Sequence, residues 1–285
     1  MTKKASHTGA EWEGFKASPG SYLRSNPEYV LAPALFVLLM AVWYLSTRLF
    51  DIPVFVLPTP GAVAKSLWLG LTSGVSSPQA YYYHAAYTVF EAFSGFLVGS
   101  LIGIVLGVLV AHFRLVERTL YPYIVAFQAL PKVAIAPLFV IWFGFGLMPK
   151  VVVTTIVTFF PLLVNTITGC RTVDPERLDL ARSLKATKWQ IFEKITFPSA
   201  LPYIFAGLHM ATVLSIIGAI VGEFVGAERG LGVLILQANS NMDIAGAYAV
   251  FFVLSGIGIV AHLLMRALER KVCFWAERSD QAIGM

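Results

Sequence analysis

The groups that could do chemistry in this chain are few, and most stand inside or beside apolar runs. Lys132 lies within the charge-poor stretch 119–149, where an ionised side chain at membrane depth is costly and marks a pathway, a relay or a buried pair. Two roles fit it. It can form a structural ion pair or reach back to water, or it can be a pathway cation that attracts an anionic solute, with Gln128 one turn away on the same face. Glu91 and Glu223 fall nearer the ends of apolar runs, where the interface lowers the cost. Glu223 stands between Gly222 and Gly226, and either kinks its helix, gates a path or serves a structural role at the interface. Asn165 has the chemistry to hydrogen-bond between helices. Gln128, Lys132, Asn165 and Glu223 are therefore the candidate pathway residues.

Catalysis and metal binding find little support. The five histidines are scattered with no His-Glu-x-x-His or paired pattern, so no metal site is expected. Cys170 and Cys273 end apolar runs without metal-type spacing, and read as packing residues with no disulfide framework. No Gly-x-x-x-x-Gly-Lys-[Ser/Thr] loop occurs, so the chain does not cradle ATP itself. An intramembrane enzyme would need a Ser/His, Asp/Asp or metal constellation, and none is present.

The elements that must position these groups are helices in lipid. Of 285 residues, 57% are apolar and 13% charged, about half the charge of an ordinary soluble domain. The net charge of +5 does not signal nucleic acid, because the basic residues flank apolar runs instead of forming one basic face. Charge-free runs of the roughly 20 residues a bilayer needs cover 29–47, 92–113, 151–170, 195–222 and 244–265. A sixth, 119–149, contains Lys132 and is expected to be interrupted near Pro131, since proline removes a donor and clashes one turn back. The first run is too long for a signal peptide and ends without a cleavage site, so it is expected to stay as a span. Basic residues concentrate in the N-terminal tail, after the second run, between 171 and 194 and at the C-terminus, leaving Arg48, Lys65, Lys132, Lys150 and Arg229 elsewhere. The positive-inside rule then places both termini in the cytoplasm. The expected organisation is an all-α membrane protein of about six spans. A polar cytoplasmic tail, 1–28, precedes a transmembrane domain, 29–275, and a short tail, 276–285, follows it.

Within that domain, 50–88 forms an outer segment. Thr59 before Pro60 is a helix start, and 61–71 reads as a short amphipathic helix at the outer interface. Gly95, Gly99, Gly103 and Gly107 recur every four residues on one face, the small-residue pattern of close helix packing. Packing inside one bundle and packing between subunits both fit that stripe.

The loop 171–202 is richest in signals. Asp174 before Pro175, with Glu176 in the first turn, starts a short helix with Leu178, Ala181 and Leu184 on one face. Thr187 and Gln190 have capping-box spacing, and Trp189, Phe192 and Ile195 line a second helix that Pro198 and Pro202 are expected to end. Two apolar faces on so short a loop must dock on the chain's own helix ends or in a partner's groove.

This loop resembles the EAA loop of ABC importer permeases. Asp179-Leu180-Ala181 stands at the Glu-Ala-Ala positions, and Ile195 to Pro198 reads Ile-Thr-Phe-Pro at the distal end. The likeness spans roughly residues 50–275. It takes in 56–61 (Val-Leu-Pro-Thr-Pro-Gly), 129–138 (Ala-Leu-Pro-Lys-Val-Ala-Ile-Ala-Pro-Leu), 142–146 (Trp-Phe-Gly-Phe-Gly) and 218–227 (Gly-Ala-Ile-Val-Gly-Glu-Phe-Val-Gly-Ala). These are similar to the subgroup that handles sulfonates, taurine, nitrate and related solutes, and that includes permeases for pyrimidine and riboflavin-type vitamins. Lys185 stands where the family has glycine. A left-handed lysine costs about 1–2 kcal/mol, so a turn unlike the family's is expected there.

The resemblance implies a type I ABC importer permease in the bacterial inner membrane, non-catalytic itself. Leu178, Asp179, Leu180, Ala181, Arg182, Leu184 and Lys185 would form the coupling helix, seated in a cytoplasmic ATPase dimer that holds ATP and Mg. A second copy of the chain, or a related permease, would complete the pathway, and a periplasmic or lipid-anchored binding protein would deliver solute. The chain itself would bind no cofactor. The competing class is a secondary transporter or channel independent of ATP, but no paired inverted repeat is visible.

Overall fold

The computed structural model describes residues 28–74 and 80–275. The two expected tails lie outside the described residues, save Glu28, as do 75–79 of the outer segment. The described residues form helices and turns and contain no strand.

Helix α1 (Glu28–Leu49) is a body by itself. Its surface carries Leu35, Phe36, Val37, Leu38 and Leu39, all exposed, which suits a span whose solvent is lipid.

The second body begins with α2 (Pro60–Thr72). It starts as its residues dictate: Thr59 is extended, its hydroxyl accepts from the Ala62 amide at 3.3 Å, and Pro60 takes the first helical position. Helix α3 (Tyr81–His112) has 32 residues, and at 1.5 Å per residue is about 48 Å long, well beyond the bilayer core. Then come α4 (Arg114–Ala129), a 3₁₀ turn (Lys132–Ile135) and α5 (Ala136–Phe143). Leu130, forced out of the helical region by the proline that follows it, has ψ of 135°, and the chain bends by 84° there. The expected interruption near Pro131 is thus a sharp break. Among the described residues, five helices are long and apolar enough to cross a membrane, and this bent pair makes up to six.

Helix α6 (Leu147–Arg171) is the centre of the bundle, packed along α3 on one side and along α9 (Phe197–Gly226) on the other. The glycine stripe of α3 makes the first contact possible. A Cβ on Gly95 would run into Thr154, on Gly99 into Thr158, on Gly103 into the Phe159 carbonyl and on Gly107 into Thr166. The stripe therefore faces α6 of the same chain. Leu162, Ala200, Ile204 and Ala211 fill the α6–α9 contact, while Ala136, Phe139 and Val153 seat α5.

Between α6 and α9 lie α7 (Pro175–Ser183) and α8 (Lys188–Ile191). Pro198 and Pro202 do not end the second loop helix: the chain stays helical from Lys188 to Gly226. A π turn over Phe192–Thr196, closed by the Phe197 amide on the Phe192 carbonyl, widens the helix just before Pro198. That is the adjustment a proline ring needs to avoid the preceding turn. Helices α10 (Leu231–Ser240) and α11 (Ile244–Val272) complete the body, with α11 against α9, α10 and α2.

Candidate functional site

Two ends of the bundle carry features that composition alone does not explain. At the loop end, α7 begins with Asp174 accepting from the Glu176 amide at 3.0 Å. It closes with the Ala186 amide on the Ala181 carbonyl at 3.0 Å and the Lys185 amide on the Arg182 carbonyl at 2.9 Å. This double bond pattern needs a left-handed residue between the last helical turn and the exit, the place glycine usually takes. Lys185 takes it, with φ of +57°. The turn is therefore left-handed despite the side chain, because its two hydrogen bonds and the adjoining capping box hold it. Thr187 accepts from the Gln190 amide at 3.2 Å, and Gln190 Oε1 accepts from the Thr187 amide at 2.8 Å.

The α7 surface divides differently from the expected stripe. Ala181 is buried and Leu178 half-buried, whereas Leu180 and Leu184 are 63% and 74% exposed. Asp179 pairs with Arg182 at 2.9 Å on the exposed face. Leu180, Ala181 and Leu184, with Ile195, Pro198 and Trp275, line a groove of about 760 Å³. Arg171 and Glu117 pair at 2.6 Å, joining the end of α6 to α4.

At the opposite end, a buried polar network ties α3, α6 and α9 to the head of α10. Lys150 Nζ donates to Glu91 Oε1 at 2.6 Å. Glu223, 1% exposed, accepts from the Thr88 hydroxyl at 2.7 Å and from the Gly232 amide. The Thr88 oxygen in turn accepts from the Leu231 amide at 2.8 Å, and His84 Nδ1 accepts from the Gly230 amide at 3.1 Å. Helix α10 starts at Gly230 with no side-chain cap, so side chains from neighbouring helices satisfy its free amides. Gly230 sits at φ of +131°, and a Cβ there would strike the Glu223 carboxylate, so glycine is required twice over. Glu91 lies beside Glu223, and the two carboxyls can hydrogen-bond to each other only when one of them carries a proton.

In front of this network is a cavity of about 780 Å³ whose lining includes Glu91, Lys150, Tyr87, Phe90, Phe145 and Arg229. Arg229 donates to the Tyr87 hydroxyl at 2.8 Å and lies over the Tyr83 and Tyr87 rings.

The four candidate pathway residues do not come together. The 84° break separates Gln128 from Lys132, so they share no helix face. Lys132 is half-buried in the 3₁₀ turn with its ammonium 4.7 Å from the centre of the Phe160 ring. Gln128 is exposed and lines a different cavity, of about 400 Å³, with Glu117 and Arg171. Asn165 donates to the Pro161 carbonyl at 2.8 Å within α6, and its Cβ faces Gly207 of α9. Glu223 lies in the network behind the cavity wall. Sequence reasoning missed Lys150, Thr88, His84 and Arg229. Lys150 and Arg229 left a trace only as basic residues outside the cytoplasmic clusters.

With this geometry in hand, the chain belongs to the family of binding-protein-dependent transport system inner membrane components, which matches residues 99–273. It is 36% identical over 250 residues to the formylaminopyrimidine transport permease protein ThiX of Halalkalibacterium halodurans, covering 87% of this chain and 97% of that one. It is 28% identical over 263 residues to the putative aliphatic sulfonates transport permease protein SsuC of Bacillus subtilis, covering 92% of each. The fold matches an inward-facing structure of the MetNI methionine ABC transporter with a TM-score of 0.52 at 20% identity, over 75% of this chain and 98% of that chain. The protein is an ABC importer permease subunit, a multi-pass membrane protein of the type I architecture.

Proposed function

We propose that this chain is the membrane-spanning half of an ATP-driven importer in the bacterial cytoplasmic membrane. Two copies enclose the solute path, and the loop 171–202 docks in the cytoplasm on a separate ATPase pair that holds ATP and Mg. A binding protein presents solute at the opposite end. ATP-driven closure of the ATPase pair moves the two α7 helices together, and the spans pass from inward-open to outward-open. The chemistry of hydrolysis belongs to the partner; this chain supplies the path and the mechanical link.

The observation that carries this reading is α7. It is capped at both ends by side chain and backbone, yet presents Leu180 and Leu184 to solvent instead of to its own bundle. A stabilised helix with exposed leucines is a helix-in-groove ligand awaiting its groove. The relatives point to two solute classes, a vitamin precursor such as a formylaminopyrimidine and a small anion such as a sulfonate.

The test is a tagged pull-down from native membranes in mild detergent, read by mass spectrometry. An ATPase recovered in near-equal amount, and lost on Leu180→Asp with Leu184→Asp, is the expected result. A preparation free of ATPase from cells with vanadate-insensitive uptake would instead establish a self-sufficient transporter.

A further inference from the structure

Three buried groups at the end opposite the loop 171–202 carry charges that do not balance. Glu91 and Glu223 are 2% and 1% exposed, and Lys150 is 6% exposed. Two are acids and one is a cation, so full ionisation would leave one buried negative charge uncompensated, a costly state. Lys150 Nζ is committed to Glu91 Oε1 at 2.6 Å. Arg229, the next cation, lies over the Tyr83 and Tyr87 rings and donates to the Tyr87 hydroxyl. His84 Nδ1 accepts from the Gly230 amide, the role of a neutral imidazole.

The hydrogen bonds point the same way. Glu223 accepts from the Thr88 hydroxyl through one oxygen and from the Gly232 amide through the other. Its carboxyl also meets that of Glu91. Lys150 takes Glu91 Oε1, and the described residues offer the buried Oε2 no N–H or hydroxyl donor. A proton on Glu223 makes one of its oxygens the donor that Oε2 needs, and that oxygen keeps a lone pair for Thr88 or Gly232. One proton therefore balances the charge and completes the hydrogen bonding together. What it secures is the head of α10, which has no side-chain cap of its own and hangs its Gly232 amide on Glu223 and its Leu231 amide on Thr88. Without the proton, two carboxylates in contact repel, and Glu223 has no ion pair among the described residues to hold it.

We propose that Glu91 and Glu223 bind one proton between them, and that this proton fastens α10 to α3 and α9. The junction is an alkali-sensitive latch: it holds while the proton is bound and loosens as rising pH removes it. The latch belongs to the bundle itself and stands whether or not the importer reading does.

The full-length chain in mild detergent is followed by infrared spectroscopy, for the C=O band of a protonated carboxylic acid, and by mass-spectrometric hydrogen exchange. At neutral pH the band should be present in the wild type and absent from both Glu223→Gln and Glu91→Gln. As alkali titrates the band away, exchange at 230–232 should quicken roughly tenfold or more relative to α6 in the same sample. Glu223→Gln should show no such rise, because its amide keeps an N–H donor towards Glu91 at every pH. The other titratable or charged groups around the junction are His84, Tyr83 and Tyr87 of α3, Lys150 of α6, and Glu228 and Arg229 before α10. All of them remain in that variant, so a rise that persists in it belongs to them and overturns the proposal. The wild-type titration needs no variant and decides the matter if neither variant folds. No band in the wild type, a band that survives either substitution, or a band lost to alkali without a rise at 230–232 would each overturn it as well.

Discussion

Lys150 and Glu91 meet at 2.6 Å across α3 and α6, both almost wholly withdrawn from solvent. Such a pair owes its existence to mutual compensation: each charge is tolerable in the bundle only because the other is there. Lys150→Met should therefore destabilise the protein by about 3–5 kcal/mol, since it strands a buried carboxylate. The double variant Lys150→Met with Glu91→Leu should recover most of that loss. Unfolding midpoints of the four proteins in one detergent, treated as a double-mutant cycle, check it. A double variant as unstable as the single one would show that the pair does more than compensate charge.

Lys185 is held left-handed at the exit of α7 by two backbone hydrogen bonds. A side chain in that conformation costs about 1 kcal/mol that glycine avoids. Lys185→Gly should raise stability by roughly that amount and leave ATPase co-purification intact. A lower midpoint would mean that the ammonium makes a contact outweighing the backbone strain.

How far the sequence announced all this depends on the range of each interaction. Local signals were legible: the Thr59 and Asp174 caps, the Thr187–Gln190 capping box and the break at Pro131 are set within four residues. The two helix starts in the loop 171–202 were equally plain, because their signals are contiguous. Lys185 misled because local propensity favours glycine there, while the hydrogen bonds around it decide the conformation. Pro198 misled for the same reason in reverse: the π turn upstream absorbs a residue that ends most helices. The polar network was invisible, because Glu91 and Lys150 are 59 residues apart and Thr88 and Glu223 are 135 apart. No local rule joins such partners.

The contact between α3 and α6 depends on the absence of side chains. A Cβ on Gly103 would stand 2.5 Å from the Phe159 carbonyl oxygen and 2.8 Å from Leu162 Cβ. Neither neighbour is the far end of a flexible side chain, so the helices themselves must part. Gly103→Ala should cost about 1–3 kcal/mol, despite alanine being the better helix former. Gly256→Ala, which meets nothing within 4 Å, is the control and should be neutral or slightly stabilising. Equal midpoints for the two variants would refute this account of the stripe.

Glu223 holds the start of α10 in place of a cap. It accepts from the Gly232 amide and from Thr88, whose oxygen accepts from the Leu231 amide. Removing the carboxylate therefore frees one amide directly and loosens the hydroxyl that serves a second. Glu223→Ala should speed hydrogen exchange at 230–232 by tenfold or more, the equivalent of about 1.4 kcal/mol of local opening. Exchange along α6 should barely change, because its packing on α3 and α9 does not pass through Glu223. Mass-spectrometric exchange on the detergent-solubilised protein resolves the two segments. Uniform acceleration across both would mean that Glu223 stabilises the bundle as a whole, and unchanged exchange at 230–232 would mean that the α10 amides have another source of protection.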